Sequence, residues 1–83
     1  MLKYEVVKGF LIDLKTREGH IAEHTESFDT REEAETYFIR IQVRMTFENE
    51  YVSLSEVEFD EDGDWTYGNV YTVYNQDLGN KNE

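Results

Sequence analysis

Two stretches of this sequence have residue types and spacings that are typical of metal chemistry. The first, His20-Ile21-Ala22-Glu23-His24, spells the H-x-x-E-H signature of inverted zinc peptidases, in which a helix presents two histidines to zinc and the glutamate acts as a base. Here it follows a turn glycine and precedes a helix-capping sequence, so we expect a strand. On a strand the α-carbons of His20 and His24 lie about 13 Å apart, too far for one zinc ion. We therefore predict two solvent-facing histidines and no metal site.

The second stretch, Asp60-Glu61-Asp62-Gly63-Asp64, has carboxylates at alternate positions, as in a calcium-binding loop. With Asp60 as the first ligand, Trp65 and Tyr71 stand where an EF-hand requires glycine and glutamate. We therefore predict a hairpin turn with solvated charges, and weak binding of a divalent ion is the alternative.

Composition excludes several other classes of function. The 83 residues include 19 acidic and 8 basic side chains, a net charge of −11, which argues against direct contact with DNA or RNA. The chain has no cysteine for thiol catalysis or a zinc ribbon, and no serine lies in a nucleophile elbow. We predict a folded, non-catalytic protein without a cofactor. We also predict a cytoplasmic location, because no apolar run is long enough for a signal peptide or a membrane span.

The acidic residues are concentrated in one part of the chain. Residues 1–47 carry nine acids and seven bases, whereas residues 48–83 carry ten acids, one base and six of the twelve aromatic residues. Glutamates two positions apart on a strand repeat at about 6.8 Å, the order of the phosphate separation in a nucleic acid. We therefore predict a surface that docks on a basic, nucleic-acid-binding groove of a partner protein. The predicted partner-binding residues are Glu56, Glu58, Asp60, Glu61, Asp62, Asp64, Trp65, Tyr67 and Tyr71, and the array extends to Glu48 and Glu50.

Two readings of this acidity remain open. In size, absence of cysteine and concentrated acidity, the chain is similar to small phage-encoded DNA-mimic inhibitors, which implies the docking function just described. The likeness is one of composition, so no residue roles are carried over from that group. The alternative is that the charge serves only to keep a small protein soluble.

The elements that would position these residues begin with a hairpin. Apolar residues alternate along Lys3–Leu14, and a more polar strand returns over His20–Phe28. Gly19 is the flexible residue of the turn between them, and Gly9 suggests a bulge or a sheet edge.

A helix is predicted next, roughly over Thr30–Glu48. Thr30 and Glu33 fit a capping box, and no helix breaker occurs before Asn49. The alternation of apolar residues over Ile39–Phe47 leaves a second possibility, a short helix that ends near Phe38 and is followed by a strand.

The predicted helix has a second apolar stripe opposite its core-facing side. At 100° per residue, Ile39, Val43 and Phe47 fall on this outer stripe. A single helix on a single sheet can bury only one of the two stripes, so the outer one is capped by the chain ends, exposed, or covered by another molecule, either a second copy or a partner. We predict a self-association site at these three residues, and a homodimeric interaction module is the alternative function.

A second hairpin completes the predicted domain, which spans residues 1–75. Tyr51–Asp60 is a strand with a bulge near Ser55-Glu56, Asp62-Gly63 is a two-residue turn, and Trp65–Tyr74 pairs back. Residues 76–83 are predicted to be a frayed polar tail. The fold class is therefore α+β, a four-stranded antiparallel sheet in the order ββαββ with one long helix on one face.

Overall fold

Residues 1–79 of the computed structural model, the part of the chain that it describes, form four strands and two helices. These are β1 (Leu2–Asp13), β2 (Glu18–Phe28), α1 (Arg31–Arg44), β3 (Glu50–Phe59), β4 (Trp65–Tyr74) and α2 (Asn75–Gly79). The strands form one antiparallel sheet in the spatial order β2-β1-β3-β4. The predicted α+β class and four-stranded antiparallel sheet are confirmed.

The core lies between α1 and the two central strands. Its buried side chains are Val6, Ala34, Phe38, Met45, Val52 and Leu54. We call the side of the sheet that carries Val6, Val52 and Leu54 the helix-side face. The opposite side, the open face, carries Tyr51 and Val57, which are also buried although α1 does not cover them.

A bulge in β2 brings its backbone against Gly9. Lys8 pairs with His24 and Gly9 pairs with Ala22, so Glu23 is an extra residue in β2. A β-carbon on Gly9 would lie 2.0 Å from the carbonyl oxygen of Ile21. Glycine is therefore required because the neighbouring strand approaches too closely for any side chain.

Helix α1 begins as the sequence predicted and ends earlier. The Thr30 hydroxyl accepts a hydrogen bond from the Glu33 N–H at 3.2 Å, which caps the first turn. Residues 39–44 are helical, so the strand alternative for this segment is wrong. The helix stops at Arg44 rather than Glu48, and the next residue, Met45, is extended and buried in the core.

The second hairpin has its bulge in β4, not in β3. Leu54 pairs with Tyr71 and Ser55 pairs with Asn69, which leaves Val70 as the extra residue. The predicted bulge near Ser55-Glu56 is therefore assigned to the wrong strand. The apolar phase changes in β3 because Leu54 is buried on the helix-side face and Val57 on the open face.

The β3–β4 turn also differs from the prediction. Only Gly63 has a positive φ, 85°, and Asp60 and Asp64 are joined by a backbone hydrogen bond across a three-residue loop. One carboxylate oxygen of Asp60 accepts the N–H groups of Asp62, at 3.0 Å, and Asp64, at 2.9 Å. This side chain stabilises the longer loop in place of the predicted two-residue turn.

Helix α2 occupies the first part of the segment that was predicted to be a frayed tail. Its Asp77 carboxylate forms an ion pair with Arg17 at 2.5 Å, and the Asn75 side chain donates to the Phe47 carbonyl oxygen at 2.8 Å. The rest of the predicted tail, residues 80–83, lies outside the described residues. Neither helix of residues 1–79 has the length and hydrophobicity needed to cross a membrane.

Candidate partner-binding surface

The predicted partner-binding residues lie on two opposite faces of the β3–β4 hairpin. Glu56 and Glu58 have the same alternation as Leu54 and therefore lie on the helix-side face. Val57 and Phe59 lie on the open face, and they pair with Tyr67 and Trp65 respectively. Because paired residues of neighbouring strands lie on the same face, both of these aromatic residues are on the open face. The hairpin therefore separates its carboxylates from its aromatic rings.

The end of the hairpin carries four exposed carboxylates that we name the acidic tip: Glu58, Glu61, Asp62 and Asp64. Within residues 1–79, none of the four lies within 4.0 Å of a lysine, arginine or histidine nitrogen. Glu56 lies further along β3, and its carboxylate is 3.9 Å from the Arg31 guanidinium. The acidic tip is thus a concentration of negative charge that the described chain does not neutralise.

Asp60 belongs to the turn rather than to the binding surface. Its carboxylate oxygen is occupied by two backbone N–H groups, as described above. The row Glu56, Glu58, Asp60 that the sequence predicted therefore does not present three equivalent carboxylates.

The open face of the hairpin carries an exposed aromatic group that we name the aromatic face: Phe59, Trp65 and Tyr67. Trp65 is 58% exposed and Tyr67 49% exposed, and their ring centroids are 5.9 Å apart in an edge-to-face arrangement. The Tyr67 hydroxyl donates to Glu5 at 2.8 Å, and burial together with this hydrogen bond raises the pKa of Tyr67. Phe59 was not among the predicted site residues, and its pairing with Trp65 is the signal that places it here.

A shallow groove runs along the helix-side face of the hairpin. The residues of this face that line it are Leu2, Glu56, Glu58, Thr66 and Gly68. No atom lies within 4 Å of the place where a β-carbon of Gly68 would be, so the groove is open at that position. Two carboxylates beside an open strand position can accept a cationic side chain.

Tyr71 is separated from the aromatic face and belongs to the contact between α1 and the sheet. Its ring packs edge-on against Phe38 at a centroid distance of 5.0 Å, and its hydroxyl donates to Glu35 at 2.7 Å. Arg31 also binds Glu35, at 3.2 Å. The Tyr71 hydroxyl and, secondarily, Arg31 lower the pKa of Glu35, so this carboxylate is already engaged.

The predicted self-association stripe is divided by the early end of α1. Ile39 and Val43 lie on the helix and are 59% and 76% exposed. Phe47 is also exposed but follows the helix, and its ring lies 6.3 Å from that of Phe10. The exposed apolar row on α1 is therefore Ile39 and Val43.

The two histidines lie in a strand, on opposite faces of the sheet. His20 pairs with Leu11 on the open face, where its ring lies 4.7 Å from that of Tyr51. His24 pairs with Lys8 on the helix-side face, and its Nε2 is 3.1 Å from a Glu26 carboxylate oxygen. In residues 1–79, no three His, Cys, Asp or Glu side chains are grouped closely enough to hold a metal ion.

A comparison with protein-family models, curated proteins and solved structures finds no match for this chain. The fold and surface define a small α+β protein whose second hairpin has an acidic tip and groove on one side and an aromatic face on the other.

Proposed function

We propose that this is a small, non-catalytic binding or inhibitory protein whose β3–β4 hairpin docks on a basic surface of a partner protein. The partner surface is one that normally binds nucleic acid. The observation that carries the proposal is the acidic tip, four exposed carboxylates without a basic partner in residues 1–79, next to the exposed rings of Trp65 and Tyr67. The protein needs no cofactor or direct nucleic-acid contact for this role.

The two kinds of surface would contribute differently to binding. Carboxylates held on a rigid hairpin can replace phosphates against arginine and lysine, with charge-assisted hydrogen bonds and fast, salt-sensitive association. Charges at the rim of an interface mainly set the association rate, whereas buried aromatic anchors mainly set the dissociation rate. We therefore expect the acidic tip to set the association rate, and Trp65 and Tyr67 to set the dissociation rate.

The first prediction is tested with a charge-reversed tip. We expect the triple variant Glu58→Lys, Glu61→Lys, Asp64→Lys to associate at least about tenfold more slowly with the partner at low salt. Asp60 is left unchanged because it holds the turn together. The partner is first captured from lysate of the native host and identified, and association is then measured with purified proteins at low and high salt.

A matched control changes the net charge equally and away from the tip. The variant Glu18→Lys, Glu32→Lys, Glu48→Lys reverses three exposed carboxylates and should keep most of the association rate. Glu48, which the sequence placed in the acidic array, precedes β3 and so lies at the opposite end of this strand from the tip. A double-stranded DNA fragment should compete with the wild type for the partner, and Trp65→Ala should accelerate dissociation. Full binding by the tip variant at low salt would refute the proposal.

A second candidate function, self-association, is supported by the exposure of Ile39 and Val43 on α1. A second copy of the chain related by a two-fold axis would cover both apolar side chains. In that case the acidity would serve solubility alone.

A further inference from the structure

Strand β4 forms one edge of the sheet, and its first five residues, Trp65 to Asn69, are exposed. Its hydrogen-bonded neighbour in residues 1–79 is β3. Phe59 exchanges backbone hydrogen bonds with Met1, so its N–H and C=O point away from β4. Its partner Trp65 therefore forms no backbone hydrogen bond with it, and bonded and non-bonded pairs alternate along the two strands. The backbone groups of Trp65, Tyr67 and Asn69 therefore point away from β3, towards solvent.

The two edges of the sheet differ in their protection against added strands. Strand β2 carries three glutamates and the bulge at Glu23, which are common devices for blocking an edge. Strand β4, with the sequence WTYGNVYTVY, contains no charged residue and no proline over ten positions. A long, uncharged edge strand is a template for pairing with another strand.

The charge around β4 indicates what can pair with it. The acidic tip lies at the start of this strand, and Glu56 and Glu58 lie on its inner neighbour. A second copy of the chain would bring two net charges of −11 together, whereas a cationic segment would be attracted. Charge complementarity therefore favours a basic segment of another protein.

We infer that β4 binds an extended basic segment of the partner as a fifth strand of the sheet. This inference rests on the proposed function and names the form in which the partner is recognised. Glu56 pairs with Gly68, so a residue of the added strand opposite Gly68 lies two strand spacings, or about 9–10 Å, from Glu56. Gly68 has no side chain between them. Alternate side chains of the segment would then be lysine or arginine over the groove and apolar residues against Trp65 and Tyr67.

Synthetic peptides test the inference directly. The probe is a ten-residue peptide of alternating lysine and valine, and amide hydrogen exchange of the full chain is followed by NMR. We expect bound peptide to slow the exchange of the Trp65, Tyr67 and Asn69 amides by at least about tenfold, because they become hydrogen-bonded. The amide of Thr25, which faces outward on β2 by the same alternation, should be unaffected.

Two control peptides separate strand pairing from charge attraction. The first replaces lysine by glutamate, and the second carries methyl groups on alternate backbone nitrogens. We expect neither to protect the β4 amides. Equal binding of the methylated and unmethylated peptides, or binding of the lysine peptide without protection of β4, would overturn strand addition and leave the electrostatic proposal standing. Absence of lysine-peptide binding would also overturn it.

A pair of proline variants tests the same edge in the protein. Asn69→Pro removes an outward-facing N–H, and we expect it to weaken binding of the lysine peptide at least about tenfold. Asn69→Ala keeps that N–H, and Thr25→Pro makes the equivalent change on β2, so both should bind normally. Normal binding by a folded Asn69→Pro variant would contradict the inference. If circular dichroism shows that this variant is unfolded, the methylated peptide decides the question.

Discussion

The buried carboxylate of Glu50 fixes the chain where α1 ends and β3 begins. Glu50 is 2% exposed, and one of its carboxylate oxygens accepts hydrogen bonds from the N–H groups of Thr46, at 2.8 Å, and Phe47, at 2.7 Å. The other oxygen lies 3.7 Å from the Lys8 ammonium. The sequence placed Glu50 in an acidic binding array, whereas the structure gives this side chain a structural role.

Replacement of this one side chain should lower stability in a pH-dependent way. Burial alone raises the pKa of Glu50, but the Phe47 and Thr46 N–H groups and Lys8 outweigh it and hold the pKa below the ordinary 4.5. The charged form therefore stabilises the fold above pH 4.5, and this contribution is lost as the pH falls through the lower pKa of the folded state. We expect Glu50→Gln to cost about 1–3 kcal/mol at pH 7.

Urea denaturation across a range of pH measures this effect. The difference in unfolding free energy between wild type and Glu50→Gln should shrink on acidification, and the exposed neighbour Glu48→Gln should show little change at any pH. A difference for Glu50→Gln that stays constant from neutral to strongly acidic pH would exclude the electrostatic explanation.

At the scale of the strands, two glycines provide a matched comparison. A β-carbon on Gly9 would collide with the Ile21 carbonyl oxygen at 2.0 Å, whereas one on Gly68 would have no atom within 4 Å. We expect Gly9→Ala to destabilise the protein by about 1–3 kcal/mol or more, because β1 and β2 must move apart. Gly68→Ala should be neutral or stabilising by up to about 1 kcal/mol, through its effect on the unfolded chain. Thermal unfolding of both variants checks this, and equal losses would contradict the role assigned to the β2 bulge.

The sequence predicted the elements well where local patterns determine them. Thr30 caps the start of α1, and alternating apolar residues mark β1. The end of α1 was missed because it depends on Glu50, whose partners are recognisable only after folding. The bulges were located near the correct positions, but the residue pattern of one strand does not tell which of two paired strands has the extra residue.

At the scale of the whole molecule, the sequence identified the acidic half of the chain but not its two faces. Glutamates and aromatic residues that are close in sequence were expected to form one surface. Strand alternation places Glu58 and Trp65 on opposite faces of the hairpin. The register needed to see this depends on the turn, and the predicted two-residue turn is one residue shorter than the three-residue loop of the structure. Asp60 was assigned to the binding surface because the longer loop that its carboxylate stabilises was not foreseen.

The self-association candidate is a property of the whole molecule and has its own test. If Ile39 and Val43 pair across a two-fold axis, Val43→Glu brings like charges together and should shift the protein to monomer. Sedimentation velocity over a range of concentrations measures this shift, with Thr25→Glu on the exposed β2 edge as the control. A wild-type protein that is monomeric at the highest concentration would remove this candidate.

The position of β1 between β2 and β3 has a consequence for the order of folding. Pairing of β1 with β2 is local, but pairing of Leu2 with Glu58 and Phe10 with Glu50 must close a loop that contains β2 and α1. Loop-closure entropy opposes such distant pairing until other contacts offset it, so hairpins and helices form earlier. During synthesis on the ribosome, the edge of β1 that pairs with β3 stays unpaired until β3 has emerged. The half of the protein that carries the proposed binding surface is therefore made after the half that supports it, and β1 gains its second partner strand only when that later half is present.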